Sequence, residues 1–191
     1  MTPEQMLKKT MAFHKKLEDS KKKAVFVGLP KGKTGSAIYE SGATVLEIGS
    51  YHEYGARINH PGGTPYIMVG GRAKFISKDR ALFGVKVTKP HLITIPRRSF
   101  LRTPFSIKDK ELRRATLKQF IAIFNGRSIN DALGLIGVTA QNISQEAFIT
   151  RGYGSWKDIA TATKTRKGSS QSLVDTGTLR NSITWVVRKT T

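Results

Sequence analysis

The sequence contains no cysteine. Disulfides, thiolate metal sites and cysteine nucleophiles are therefore excluded, and the composition fits a cytosolic folding environment. No apolar run approaches the roughly 20 residues that a membrane-spanning helix needs. The N-terminal stretch carries lysines but no apolar signal core, so neither a membrane partner nor an export peptide is expected. Acidic residues are scarce, 13 among 191. Glu40, Glu47, Glu53, Asp79 and Asp109 show no metal-ligand spacing, and the four scattered histidines offer no ligand pair. No catalytic residue, metal or cofactor is expected, and the chain does not read as an enzyme. Gly and Pro are too few to mark a disordered chain, and a hydrophobic fraction of 38% suffices for one core. One domain is expected, with room for an insertion.

Positive charge is abundant. Lys and Arg total 33, giving a formal net charge of +20. Such an excess reads blandly as solubility or an acidic protein partner, and sharply as contact with a nucleic-acid backbone. The excess is spread along the chain and is densest between Arg57 and Lys118. That distribution suits a surface or channel lining better than a disordered tail.

Thr2-Pro3-Glu4-Gln5 combines a cap, a first-turn proline and a capping box, so a helix is expected from there to about Glu18, with Met6, Phe13 and Leu17 as its apolar stripe. Ala24 to Gly28 reads as a strand. Gly28-Leu29-Pro30-Lys31-Gly32-Lys33-Thr34 resembles a nucleotide-binding loop but has three residues where that loop needs four, and Pro30 removes a donor. A basic loop is the expectation. Thr44 and Glu47 form a second capping box, ahead of a helix whose face would carry Val45, Ile48, Tyr51 and Tyr54, with Gly55 as its stop. His52 and Glu53 point in different directions from that helix, and packing or surface polarity accounts for both.

The texture changes after Arg57. His60-Pro61-Gly62-Gly63-Thr64-Pro65 is turn chemistry, and Tyr66–Val69, Gly70-Gly71 and Ala73–Ile76 read as a hairpin. Leu82–Val87 and His91–Ile95 add extended pieces. Residues 66–95 are expected as an inserted basic β-hairpin arm on a core of residues 1–65 and 96–191. Arg72, Lys74, Lys78 and Arg80 on the arm, and Arg97, Arg98 and Arg102 after it, are the candidates for facing DNA or a neighbouring subunit. A helix is expected from about Ile107 to Asn125, burying Leu112, Leu117, Phe120, Ile121 and Phe124. A second, capped by Ser128 and running to about Ile149, carries a stripe of Ile129, Leu133, Ile136, Ala140, Ile143 and Ala147. Gly134 and Gly137 on it would admit close approach of another helix. Arg151 to Ser172 reads as a basic loop pinned by Trp156.

The chain is organised around its last segment. Asp175 and Thr176 are helix-capping side chains, and Gly177 permits a tight turn. Ile183, Trp185 and Val187 alternate with Thr184, Val186 and Arg188, as in a strand. A strand there must pair with one laid down earlier, so Leu173, Asp175, Thr176, Gly177, Leu179, Ile183 and Trp185 form a fold-closing motif. The expected class is α+β, a small mixed or antiparallel sheet packed against long helices.

Leu173-Val174-Asp175-Thr176-Gly177-Thr178-Leu179-Arg180-Asn181-Ser182-Ile183 resembles the Leu-Val-Asp-Thr-Gly-x-Leu-x-x-Ser-Ile signature of the phage virion-morphogenesis, or tail-completion, family. Glu53-Tyr54-Gly55, the turn from His60 to Tyr66, Ile95-Pro96-Arg97-Arg98-Ser99-Phe100-Leu101, Trp156 and Arg166-Lys167-Gly168-Ser169-Ser170 follow that family's order over roughly residues 40 to 188, with Ser99 where Pro is usual. The Mu-type proteins resemble it most. The resemblance implies a structural subunit of a hexameric or dodecameric ring at the neck, head–tail junction or tail terminus. Its implied partners are copies of itself, neighbouring connector, tail-tube or sheath proteins, and genomic DNA passing non-specifically through the lumen. Its implied location is the virion, and the host cytoplasm during assembly. Diffuse positive charge fits a ring that must let any sequence slide. The competing reading is a sequence-nonspecific nucleic-acid-binding protein of ribosomal or chromatin type. A nuclease or NTPase is the third and weakest.

Overall fold

The computed structural model describes residues 2–39, 42–77, 79, 85–158 and 177–190. The fold is α+β, and its sheets are antiparallel throughout the described residues. The chain divides into two compact units, one formed by Met1–Tyr54 with Arg97–Thr191 and the other by Gly55–Pro96.

In the larger unit, α1 (Pro3–Lys21) begins at the capping box, where the Gln5 amide donates to Thr2 and the Thr2 amide donates to the Gln5 side chain. None of its residues is buried. It is followed by β1 (Lys23–Gly28), a short 3-10 turn (Thr34–Ser36) and α2 (Val45–Tyr54). After the insertion come α3 (Arg102–Ile107), α4 (Asp109–Phe124), α5 (Ile129–Ile149), α6 (Thr178–Ser182) and β7 (Thr184–Lys189). The closing strand pairs antiparallel with β1, placing Val27 opposite Trp185 and Lys23 opposite Lys189.

This two-stranded ladder packs on α5. The fit depends on glycine. A Cβ at Gly137 would stand 2.7 Å from the Trp185 ring, and one at Gly134 would stand 3.1 Å from it. The sequence suggested that these glycines admit another helix; they admit an indole. The core gathers Val45, Phe100, Ala147, Phe148, Trp156, Leu179 and Ile183. Phe148 stacks at a tilt on Phe100 (5.4 Å between centroids) and edge-on with Trp156 (5.5 Å). Burying each such ring contributes roughly 1.5–3 kcal/mol.

Two expected helix faces need correction. The helix expected from about Ile107 to Asn125 is α4, and a short helix the sequence reading did not include, α3, precedes it, separated by Lys108, which leaves helical geometry. On α4, Leu117 (62% exposed), Ile121 (54%), Phe120 (40%) and Phe124 (36%) are at the surface, and Gln119 and Ile123 are buried instead. On α2, Tyr51 and Tyr54 are exposed, and Val45, Gly49 and Glu53 form the buried stripe at fourfold spacing. Hydrophobicity marks a face that can be covered; which face is covered depends on the neighbours that reach it. α1 touches the end of α4 and the strand β1 that follows it. Phe13 meets Phe124 edge-on at 5.1 Å, and Lys16 donates to the carbonyls of Gly126 and Arg127 just past the helix, where a cation is favoured.

The smaller unit starts earlier than the sequence suggests, at Gly55 rather than Tyr66, because β2 (Ala56–His60) pairs with β6 (His91–Ile95). A second sheet has the order β4 (Arg72–Phe75), β3 (Pro65–Val69), β5 (Lys86–Val87). The β3–β4 hairpin turns through Gly70 and Gly71, both at positive φ, as a two-residue hairpin loop requires. Of the extended piece expected over Leu82–Val87, residues 82–84 lie outside the described residues.

Candidate functional site

The segment after the insertion, Arg97 to Arg102, turns sharply into α3 and is built around one carboxylate. Glu53, at the end of α2, is 3% exposed. Its Oε1 accepts from the Ser99 hydroxyl (2.8 Å), the Arg102 amide (3.1 Å) and Arg102 Nε (3.1 Å). Its Oε2 accepts from the amides of Phe100 (2.8 Å) and Leu101 (3.0 Å). These are the free N–H groups of a helix start, supplied with an acceptor from a distant helix. The carbonyls of the same corner are also satisfied. Trp156 Nε1 donates to Ser99 O (2.9 Å), and the Ser144 hydroxyl donates to Phe100 O (2.7 Å). Every contact pins the Phe100 ring in the core.

This corner uses two of the three arginines expected to face DNA or a neighbour. Arg98 is 7% exposed, and its Nε and Nη2 lie 3.4 and 3.3 Å from the Lys157 carbonyl that accepts from them. Burial pushes the Arg98 guanidinium below its ordinary pKa, with Asp158 acting in the opposite direction. Arg102 pairs with Glu53 and lies over the Tyr54 ring, 4.3 Å from its centroid. Arg97 is exposed, and Arg102 remains exposed over about half of its side chain despite the pairing; only Arg98 of the three is buried. On the insertion, Lys74 of β4 is exposed, while Lys78, Arg80 and the side chain of Arg72 lie outside the described residues. So do Leu173, Asp175 and Thr176 of the closing motif. Gly177 starts α6 with φ 75°, in the left-handed region. Leu179 and Ile183 are buried in the core, and Trp185 is half-buried against α5.

The described residues of the insertion bury little of their own surface. Pro65 is its one buried residue among those described. Met68, Val69, Phe75, Val87 and Leu92 are each more than half exposed. Arg57, Lys74, Lys86 and Lys89 stand among them, exposed. His60 and His91 face each other across the β2–β6 ladder with ring centroids 5.0 Å apart.

The loop that superficially resembles a phosphate-binding loop is tied down internally. The Gly32 amide donates to the Ser36 hydroxyl, and the Thr34 hydroxyl donates to the Ser182 carbonyl at the start of the closing strand. Among the described residues no three His, Asp or Glu side chains converge on a point that could hold a metal, and no helix is long and apolar enough to cross a membrane.

The role of Glu53 escaped the sequence reading, which gave it to packing or surface polarity. A signal was present: Glu53 is a lone carboxylate at a helix end, in a chain whose next conspicuous feature is the run Arg97-Arg98-Ser99-Phe100. No family model, curated protein or solved structure matches the chain.

Proposed function

We propose that this chain is a structural virion protein of a tailed phage. It forms a hexameric or dodecameric ring at the neck, at the head–tail junction or tail terminus, that completes the tail, joins it to the head and lets DNA pass. The observation that carries this reading is the insertion Gly55–Pro96. It is a β unit with one buried residue among those described, and with exposed apolar side chains beside exposed cations. Surface of that kind is stabilised by a partner, and open strand edges suit addition between neighbouring subunits. A cyclic assembly of identical copies uses such surfaces head to tail. The net charge of +20 suits a lumen that accompanies DNA without reading it. The resemblance of residues 173–183 to the tail-completion signature supports the same reading.

The alternative, a free nucleic-acid-binding protein of ribosomal or chromatin type, is favoured by the charge alone. Electron microscopy of the purified chain, with and without tail particles, separates the two. A neck protein gives closed rings or decorates tail ends; a ribosomal-type protein stays monomeric and binds RNA in a salt-sensitive way.

A further inference from the structure

The face of the β1–β7 ladder turned away from α5 is a second surface with its own chemistry. Trp185 and its partner Val27 point toward α5, so strand alternation sends Phe26, Val186 and Arg188 to the opposite side. Phe26 is 51% exposed, although it sits mid-strand among apolar neighbours. With Val186, Arg188, Pro30 and Lys31 it lines an open groove of about 260 Å³. An aromatic ring lines the groove together with one cation from β7, Arg188, and one from the loop after β1, Lys31.

The charge around this groove is uncompensated. Several cations elsewhere in the larger unit take carboxylate partners, Lys21 with Glu18, Arg102 with Glu53, Lys108 with Glu111 and Arg113 with Asp109. Among the described residues, the groove's own cations, Lys31 and Arg188, form no ion pair. The register sets Lys23 directly opposite Lys189, with Arg188 one position along. Lys23 and Lys189 share the parity of Val27 and Trp185, so they belong to the α5 side, where Lys23 meets Asn130; Arg188 is the ladder's cation on the groove side.

We propose that this face binds single-stranded nucleic acid, with a base stacked on Phe26 and the backbone phosphates on Arg188 and Lys31. The two cations flank the ring, which suits a strand with an anion on either side of each base. An unpaired base offers a π-face to the ring, whereas the bases of a duplex are already stacked on each other. The proposal goes beyond the ring and does not depend on it.

The test is fluorescence anisotropy of the full chain against a labelled oligothymidylate of about 15 nucleotides, within the span of known single-strand sites, and against a hairpin duplex of equal charge. The strand is expected to bind more tightly than the duplex. Phe26→Ala is expected to weaken strand binding by about fivefold or more, the low end of what one stacked base contributes, without changing duplex binding. Phe26→Trp restores it. Lys31→Glu with Arg188→Glu weakens both ligands and flattens the salt dependence. Both sites are exposed, and a thermal melt unchanged from the parent chain certifies the folded state of each variant. No binding by the parent chain, duplex preferred over strand, or equal strand affinity in Phe26→Ala overturns the proposal. Displacement of the strand by polyglutamate at equal charge also overturns it, and marks the face as a dock for an acidic protein segment.

Discussion

The backbone amide of Phe100 donates to Oε2 of Glu53 at 2.8 Å, across 47 positions of sequence. One bond joins the end of α2 to the corner that leads into α3, and the whole insertion lies between its two ends. Removing the carboxylate strands buried donors on Ser99, Phe100, Leu101 and Arg102. Glu53→Ala is expected to destabilise the chain by about 3–5 kcal/mol, and Glu53→Gln by about 1–3 kcal/mol because its amide group faces donors. Arg102→Ala, which removes a half-exposed partner and leaves the backbone donors satisfied, is expected to cost about 1 kcal/mol or less. Denaturant unfolding measures all three. Equal costs for Glu53→Ala and Arg102→Ala would make the pair an ordinary ion pair.

Gly137→Ala forces a methyl group to within 2.7 Å of the Trp185 ring. The expected cost is about 1–3 kcal/mol from overpacking, although alanine is the better helix former. Trp185→Ala is expected to cost about 3 kcal/mol or more. Because the two residues touch, the double variant should cost less than the sum. Thermal or denaturant melts of the two single variants and the double variant give the coupling directly; additivity would show that the ring does not rest on the glycine.

Excising Gly55–Pro96 should leave a folded core. The two ends of the insertion are already close, since the Arg98 amide donates to the His52 carbonyl at 2.7 Å. A short Gly-Ser link between Tyr54 and Arg97 is expected to preserve a cooperative melt while abolishing assembly. Under the proposed function, it also abolishes the joining of heads to tails. Normal assembly by the excised chain would remove the interface role of the insertion.

The Tyr153 hydroxyl lies 2.9 Å from the Ile143 carbonyl and 3.0 Å from the Glu146 carboxylate. Burial and then that carboxylate push its pKa well above the ordinary tyrosine value. A folded-state pKa raised in this way means that the unfolded chain loses its proton first. The associated stability is fully present below about pH 10 and declines as pH rises beyond it. Tyr153→Phe is expected to flatten that alkaline decline, measured as unfolding free energy between about pH 9 and 11. An unchanged slope would show that Tyr153 ionises freely in the folded chain.

Local signals in the sequence were read well where the physics is local. The Thr2 capping box, the start of α5 at Ser128, the Gly70-Gly71 hairpin and the alternation in Thr184–Lys189 each depend on a few adjacent residues. The apolar stripes misled where burial depends on distant neighbours. Leu117 and Ile121 are as hydrophobic as any core residue, yet each is more than half exposed. Tyr51 and Tyr54 gave way to Gly49 and Glu53, because the surface of α2 that meets Phe100 accepts a glycine and a carboxylate. Counting charge predicted arginines that face outward. Burial of Arg98 and the pairing of Arg102 depend on Lys157 and Glu53, which no local pattern links to them.

The ring is tested most directly by the mass of the native assembly, read by native mass spectrometry or by light scattering after gel filtration across a range of concentrations and salt. A cyclic oligomer of six or twelve copies, persisting at high salt and lost on excision of Gly55–Pro96, is the expected result. A single-chain mass at every concentration, in the presence of tail particles as well as alone, would contradict it.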